Sequence, residues 1–325
     1  MGQVIIGHLT IDNIIKLEDK KIQKCVPGGA VMYAACAAAM WNNKVTVISK
    51  MGKDYILYER LSKSCWGTID TSYITHVCTP SIRLDIKYDA DGEHIFVPLG
   101  GTETYSEMAP DAINIPDNVL QENYVFHIAP LPIQYQWRII KKIKNIGQEK
   151  YITLDPDILD ITVENNDLWI KILSSVDLLI LSVAEFHKFE SLFYSIDKNR
   201  IIFDRISMMQ KFFSIKNIVL KAGRKGAYMI ETSGRKRHIG IVGKHYIDYT
   251  GAGDAFAGGL GYAIDNGYSL EKGLIFGTIS SSIAMKKFGY EHMMLESDKE
   301  LKNKFKEEER KFLYGETSIY CNKII

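Results

Sequence analysis

Short runs of apolar residues alternate with longer segments of helical periodicity along most of the chain. The strand-length runs are Val4–Ile6, Val45–Ile48, Tyr124–Ile128, Tyr151–Leu154, Leu178–Leu181 and Ile218–Leu220. Continuous apolar strands are typical of a parallel sheet that is covered on both faces. Helical segments lie between them at Val31–Trp41, Ile133–Ile146, Asp167–Ser175 and Ala184–Tyr194. The alternation predicts a layered α/β fold.

Two segments show in/out alternation instead of continuous apolar runs. They are Ile14–Cys25 and Ser81–Leu99, and the second contains the turn sequence Asp89–Gly92. A small separate sheet, solvated on one face, would give this pattern and would form a lid over a pocket. An edge extension of the main sheet fits the spacing equally well. We place the lid segments at about residues 13–25 and 80–100.

Composition and charge narrow the class of protein. The 325 residues are 46% hydrophobic and 24% charged, with 40 basic against 39 acidic side chains and a net charge of +1. This predicts a globular protein of one or two domains and argues against binding of nucleic acid through bulk positive charge, or of a membrane through a polybasic segment. The start of the chain does not resemble a targeting segment, so a cytoplasmic location is expected. Five cysteines without a Cys-x-x-Cys pair fit a reducing compartment: Cys25, Cys36, Cys65, Cys78 and Cys321.

The most informative stretch is Gly251-Ala252-Gly253-Asp254, a small-residue turn that leads into a helix. The first N–H groups of a helix lack partners and lie at the positive end of its dipole, so this turn predicts an anion site. Asp254 falls in the first helical turn. It either stabilises the helix start or accepts a proton from a substrate hydroxyl beside a bound phosphate.

Two cofactor-binding motifs that also use glycines fit this stretch poorly. A dinucleotide fingerprint would need glycine where Phe256 stands, and no Walker A sequence occurs in the chain. An NAD-dependent oxidoreductase is therefore a poor alternative. The eight histidines show no metal-binding spacing, so a catalytic transition metal is not expected.

Asp248–Gly259 closely resembles the C-terminal signature of the ribokinase-like (PfkB) family of sugar and nucleoside kinases, D-T-x-G-A-G-D-x-F-x-G-G. Pro27–Ala30 resembles the family's N-terminal Gly-Gly signature, and Ser49–Asp54 its V-G-x-D element. The resemblance implies a single kinase domain over residues 1–325, built as a three-layer α/β/α sandwich with a central, mostly parallel sheet and a small β lid. It also implies ATP and Mg²⁺, with K⁺ in several members, and dimers formed through the lid.

The resemblance assigns roles to individual positions. Asp254 matches the catalytic base, and Gly251, Ala252 and Gly253 match the anion hole. On the substrate side, Asp12 matches a carboxylate that binds hydroxyl groups. Gly28 and Gly29 match the hinge beneath the lid, and Tyr33 stands where sugar-binding members often carry Asn. Arg83, in the lid's core strand, is included as a substrate residue, and the modest positive charge there favours an unphosphorylated acceptor.

The nucleotide side is implied to contain seven residues: Ser182, Glu185, Lys221, Gly223, Arg224, Gly226 and Ser281. Glu185 matches the acidic residue of the N-x-x-E motif, which holds Mg²⁺ through water. Asp248 and Thr250 match a monovalent-cation site. The chain departs from the family pattern at Ser182 for Asn, Tyr249 for Thr and Lys221 for Thr.

Together these features predict an ATP-dependent kinase that phosphorylates a hydroxyl of a sugar, an inositol-like polyol or a nucleoside. The alternative is a ligand-binding or regulatory protein of low activity on a kinase scaffold.

Overall fold

The computed structural model describes residues 2–17, 22–55, 68–88, 94–99, 101–193, 200–243 and 246–314. The turn at Asp89–Gly92, Cys65 and Cys321 lie outside the described residues. The strands are β1 (Gln3–Ile6), β2 (Thr10–Lys16), β3 (Ile22–Gly28), β4 (Val45–Gly52), β5 (Ile69–Asp70), β6 (Ile74–Val77), β7 (Ile82–Tyr88), β8 (His94–Leu99), β9 (Val125–Ile128), β10 (Tyr151–Leu154), β11 (Leu178–Ser182), β12 (Asn217–Lys221), β13 (Ala227–Ile230) and β14 (Lys236–Ile239).

Ten of these strands form a large sheet in the order β14-β13-β12-β11-β10-β9-β1-β4-β5, with β6 also paired to β4. The pairs from β5 to β12 are parallel, and only β12-β13 and β13-β14 are antiparallel. All six predicted apolar strands are present at the centre of this sheet. The prediction of a mostly parallel sheet is confirmed.

The helices are α1 (Ala30–Ala39), α2 (Thr102–Glu107), α3 (Asp117–Glu122), α4 (Ile133–Lys144), α5 (Asn166–Leu173), α6 (Val183–Phe193), α7 (Ile202–Phe212), α8 (Ala252–Asp265), α9 (Leu270–Ala284) and α10 (Asp298–Tyr314). Helices α1, α8 and α9 pack on one face of the large sheet, and α4 to α7 pack on the other. None of the helices in the described ranges is long and apolar enough to cross a membrane.

Alternate residues of each central strand enter the two cores, because successive side chains of a strand point to opposite faces. In β1, Ile5 packs with the core of α1 and α8, whereas Val4 and Ile6 pack with the core of α4 to α7. Both faces of the large sheet are therefore buried from solvent. This explains why the strands are continuous apolar runs, and it confirms the three-layer fold.

The two alternating segments form a separate four-stranded sheet in the order β3-β2-β7-β8, which we call the lid sheet. Of the two arrangements that the spacing left open, the structure has the separate sheet. Its inner face packs Ile14, Val26 and Ile86 into a small core of their own. Ile95 and Phe96 of β8 are 65% and 51% exposed. Pairing of two copies through this sheet stays a prediction.

Candidate active site

The carboxyl ends of three neighbouring parallel strands bring charged residues together at one edge of the large sheet. Asp155 directly follows β10, Ser182 ends β11, and Lys221 ends β12. The Nζ atom of Lys221 lies 2.5 Å from Oδ2 of Asp155. Glu185 belongs to the first turn of α6, directly after β11. Ligands of open α/β sheets bind at this edge, so the cluster marks the candidate site.

The turn before α8, residues 251–253, lies against this cluster, and we call it the anion turn. Gly251 has φ 71°, in the left-handed region, and a Cβ there would come within 2.1 Å of Cγ of Tyr33. Only glycine fits both restrictions. A Cβ on Gly253 would lie 3.2 Å from Nζ of Lys221. The lysine ammonium is thus beside the start of the helix, where N–H groups favour an anion.

Asp254 is half-buried in the first turn of α8. Burial raises its pKa from 3.8 to about 6, with Asp155 acting in the same direction and Lys221 opposing both. A carboxylate with a pKa near the working pH is well suited to accept a proton. The raised pKa therefore favours the role of general base over that of a simple helix cap.

Asp12 lies on the inner face of the lid sheet and is 2% exposed. Its Oδ2 atom would be 1.8 Å from a Cβ on Gly28, so this close approach requires glycine there. A Cβ on Gly29, which has φ 104°, would lie 2.3 Å from the carbonyl oxygen of His8. Its Oδ1 atom has no hydrogen-bond partner among the described residues. Burial raises the pKa of Asp12 to about 7, and the charges of Asp248 and Asp254 act in the same direction. A buried carboxylate oxygen without a partner is an unused acceptor for a ligand hydroxyl.

Tyr33 fills the space between the anion turn and Tyr290. It is 1% exposed, and its ring meets that of Tyr290 edge-on at 5.6 Å. Its Oη atom is buried and finds no hydrogen-bond partner in the part of the chain that the structure describes. Burial, followed by the charges of Asp248 and Asp12, raises the pKa of Tyr33 well above its usual value. The phenol is therefore a neutral donor.

Asp248 and Thr250 form a compact turn that is joined to the lid sheet. The Thr250 hydroxyl donates to Oδ1 of Asp248 over 2.7 Å, and Tyr88 of β7 lies 2.6 Å from the same hydroxyl. Oδ2 of Asp248 is buried without a partner in the described ranges. No group of three or more His, Cys, Asp or Glu side chains in the described residues could hold a metal ion. The monovalent-cation site stays a prediction.

Ser182 and Glu185 form a reciprocal cap at the start of α6. The Ser182 N–H donates to Oε2 of Glu185 over 2.6 Å, and the Glu185 N–H donates to the serine hydroxyl over 3.3 Å. Burial and the Asp155 charge hold the pKa of Glu185 well above its usual range, against the opposing effect of Lys221. Glu185 thus combines a helix-capping contact with a place in the charged cluster.

The remaining nucleotide-side predictions fall on the turn between β12 and β13 and on α9. The Ala222 N–H donates to Gly226 O over 2.7 Å, which closes the turn. Gly223 has φ 52° with no atom within 4 Å of a built Cβ, and Arg224 is exposed. Ser281 lies half-buried on α9. The residues form a tight turn between the antiparallel strands β12 and β13, which adjoins the cluster through Lys221. Nucleotide binding by this turn and by Ser281 stays a prediction.

Arg83 is the one predicted substrate residue that the structure does not bring to the cluster. Strand register pairs Ile11 with Arg83 and Asp12 with Leu84, so Arg83 points to the opposite face of the lid sheet from Asp12. Its Nη2 atom is 2.9 Å from Oδ2 of Asp54, and its side chain is 39% exposed. Arg83 ties the lid sheet to the end of β4, and its role in substrate binding stays a prediction.

Asp155 and Asp157 were not predicted from the sequence. Asp155 directly follows β10 and Asp157 comes two residues later, and polar residues at the carboxyl end of a parallel strand are the signal that points to them. Asp157 is 5% exposed and accepts a 2.8 Å hydrogen bond from the hydroxyl of Tyr105 in α2. This contact joins the helix after the lid sheet to the same edge of the large sheet.

A three-layer α/β/α fold with a carboxylate at a helix-start anion turn defines a small-molecule kinase of the ribokinase-like class. The profile of the pfkB family of carbohydrate kinases matches residues 3–297, and the chain belongs to this family. It is accordingly a phosphotransferase that acts on an alcohol group of a carbohydrate or nucleoside.

Individual proteins are similar to this chain in sequence or in fold. The chain is 26% identical over 288 residues to a cytidine kinase of Thermococcus kodakarensis, covering 88% of this chain and 96% of the relative. Its fold matches that of a nucleoside kinase from Burkholderia thailandensis, solved with inosine, with a TM-score of 0.74 and 16% identity. That match covers 94% of this chain and 97% of the other. An Arabidopsis thaliana ribokinase solved with ribose and ATP gives a TM-score of 0.72 at 20% identity, covering 94% and 98%.

Proposed function

We propose that the protein transfers the γ-phosphoryl group of ATP to a hydroxyl of an unphosphorylated nucleoside or sugar-like acceptor. Asp254 accepts the hydroxyl proton while the acceptor oxygen forms a bond to the γ-phosphorus. The bond from that phosphorus to the β,γ-bridging oxygen breaks, and ADP leaves with the electron pair. The products are a phosphate ester and ADP, and the proton passes from Asp254 to solvent.

The observation that carries this proposal is the position of Asp254. It directly follows the anion turn, its pKa is raised to about 6, and its charge contributes to the raised pKa of Asp12 on the lid sheet. A phosphate on the turn and an acceptor on Asp12 would both adjoin this one proton acceptor. In-line transfer requires the base, the acceptor hydroxyl and the phosphoryl group to be held together.

The residues present fit a nucleotide and its metal ion. The helix start and the Lys221 ammonium suit phosphate, and Oδ1 of Asp155 is a buried acceptor without a hydrogen-bond partner in the described ranges. Mg²⁺ usually keeps several waters and binds through one or two carboxylates and the phosphates, so the lack of a three-ligand cluster among the described residues agrees with its usual mode. Glu185 would hold it through water. Asp248 and Thr250 would border a K⁺ site.

Two buried polar side chains bear on the chemical class of the phosphoryl acceptor. Asp12 and Tyr33 offer one unused buried acceptor and one unused buried donor, which suits neighbouring hydroxyl groups of a ring. The relatives named cytidine kinase and nucleoside kinase favour a nucleoside, and those named ribokinase favour a free sugar. An inositol-like polyol offers the same hydroxyl pattern.

ATP-coupled turnover against nucleosides, ribose, deoxyribose and inositols, with and without K⁺, tests the proposal. We expect Asp254→Asn to bind nucleotide normally and to lose about 100-fold or more in turnover with the best acceptor. Asp117→Asn is the matched control, since Asp117 is also an acidic residue in a first helical turn but is remote from the cluster. Near-native turnover by Asp254→Asn would refute the base assignment. ATP binding without turnover of any acceptor would favour the regulatory alternative.

A further inference from the structure

We propose that Lys221, positioned by Asp155, binds the γ-phosphoryl group at the anion turn and stabilises its charge during transfer. The inference rests on the proposed function and adds to it a cationic catalytic residue and a positioning residue. It concerns only groups that the chain itself supplies, and it assigns a role to the ion pair between β10 and β12.

The first observation is where the lysine side chain lies. Measured from a Cβ built on Gly253, the distances to Nζ, Cε and Cδ of Lys221 are 3.2, 3.6 and 3.7 Å. The end of the side chain therefore runs along the anion turn and has its ammonium at the helix start. A phosphoryl oxygen held by the amides of this turn would be within reach of that ammonium, and such charge-assisted contacts are about twice as strong as neutral ones.

The second observation is what holds the lysine there. Lys221 ends β12 and Asp155 follows β10, so the side chain crosses the end of β11 to reach its partner. The Lys221 side chain is 15% exposed and that of Asp155 is 2% exposed. A lysine side chain has a long flexible stem that otherwise adopts many rotamers. The buried carboxylate restricts it to the one direction that points at the anion turn.

The charge of the lysine is secured by its surroundings. Burial pulls the pKa of Lys221 down, but three nearby carboxylates outweigh this effect and raise the pKa above its usual value. They belong to Asp155, Glu185 and Asp254. A polyanionic nucleotide would be repelled by three carboxylates alone. A permanently charged lysine among them removes part of that repulsion at the point where the γ-phosphate would lie.

The third observation links two departures from the family pattern. Ser182 replaces the asparagine of N-x-x-E, and Lys221 replaces the threonine of the nucleotide loop. Strand register pairs these two residues directly across β11 and β12. The shorter side chain therefore adjoins the position where the lysine adds a positive charge.

Binding of a non-hydrolysable ATP analogue, the β,γ-imido triphosphate, and of ADP, both with Mg²⁺, separates the γ-phosphate from the rest of the nucleotide. We expect Lys221→Met to raise the Kd for the analogue by about 10- to 100-fold. The Kd for ADP should rise by less than about threefold. Lys216→Met is the matched control. Lys216 pairs with Asp177 over 2.6 Å at the opposite ends of β12 and β11, so its loss should change neither affinity.

Asp155 is tested as a positioning residue by a double-mutant cycle. Asp155→Asn should weaken binding of the analogue in the native background. It should have no further effect on that binding in the Lys221→Met background, because Asp155 acts through the lysine. A purely structural role would weaken both nucleotides in both backgrounds. If Lys221→Met does not fold, because it leaves Asp155 buried without a partner, the double variant Asp155→Asn/Lys221→Met removes both charges and gives the same comparison.

Equal weakening of the analogue and ADP by Lys221→Met, or no weakening of either, would overturn the proposal. An Asp155→Asn effect that persists without the lysine would overturn the positioning part. These outcomes differ from failure of the proposed function, in which the native protein binds ATP but turns over none of the acceptors.

Discussion

The raised pKa of Asp254 makes a quantitative prediction about the pH dependence of turnover. The catalytic form is the carboxylate, and burial raises the pKa from 3.8 to about 6. The ionised share then falls from about nine tenths at pH 7 to about one tenth at pH 5, a loss of about tenfold in rate. An aspartate with its ordinary pKa would remain about nine tenths ionised at pH 5, so the same change in pH would have almost no effect.

The assay is kcat/KM for ATP between pH 5 and pH 8, with the acceptor held saturating at every pH. Saturation removes the separate effect of Asp12, whose pKa of about 7 would weaken acceptor binding as pH falls. Binding of the imido analogue over the same range controls for protonation of the nucleotide itself. A rate that stays level from pH 7 to pH 5, after this correction, would refute the argument that burial tunes Asp254.

Lys221 supplies a second check on the same quantity. Its charge lowers the pKa of Asp254, so its removal must raise that pKa further. In Lys221→Met, the fall in rate on acidification should therefore begin at a higher pH than in the native protein. A shift to lower pH, or no shift, would contradict the electrostatic coupling between the two side chains.

Three further variants test the packing around the site. Gly251→Ala places a residue with a Cβ at φ 71°, where that Cβ would lie 2.1 Å from the ring of Tyr33, so both activity and the unfolding temperature should fall. Unchanged values would show that the turn does not require glycine. Tyr88→Phe removes the hydroxyl that lies 2.6 Å from the Thr250 hydroxyl, and we expect KM for the acceptor to rise severalfold with kcat little changed. An unaltered KM would mean that acceptor binding does not depend on this contact of the lid sheet. Arg205→Met leaves Glu190 buried without its 2.8 Å partner, so the free energy of unfolding measured by chemical denaturation should fall by about 3–5 kcal/mol. The kcat at low temperature should be retained. A fall below about 1 kcal/mol would argue against a structural role for this ion pair.

Local patterns in the chain predicted much of the fold. The six central strands and the helices α1, α4, α5 and α6 agree with the apolar runs and periodic segments to within a few residues. Strand β14 was missed because Lys236–Ile239 is largely polar and exposed at the sheet edge, so it lacks the apolar signal of a buried strand. The short strands β5 and β6 carry too few residues to show any periodicity.

Some residues of the candidate site could likewise be predicted from local sequence, and others could not. The anion turn and Asp254 could be predicted because a helix start, its glycines and its first-turn carboxylate are neighbours in sequence. Arg83 was grouped with Asp12 because both belong to the lid, yet the register of β2 and β7 places them on opposite faces. Asp155 carried only a weak signal, since a single acidic residue after a strand is common.

The sequence by itself determined the class of protein, because the signature around Asp254 is a local arrangement of backbone and side chain. It also determined that both faces of the central sheet are buried. Only the tertiary structure decided which charges meet. Asp155 and Lys221 are 66 residues apart, and Tyr88 and Thr250 are 162 apart, yet each pair is in contact. Apolar periodicity specifies which face of a strand is buried, whereas contacts across strands depend on strand order and register, which arise only when the sheet assembles.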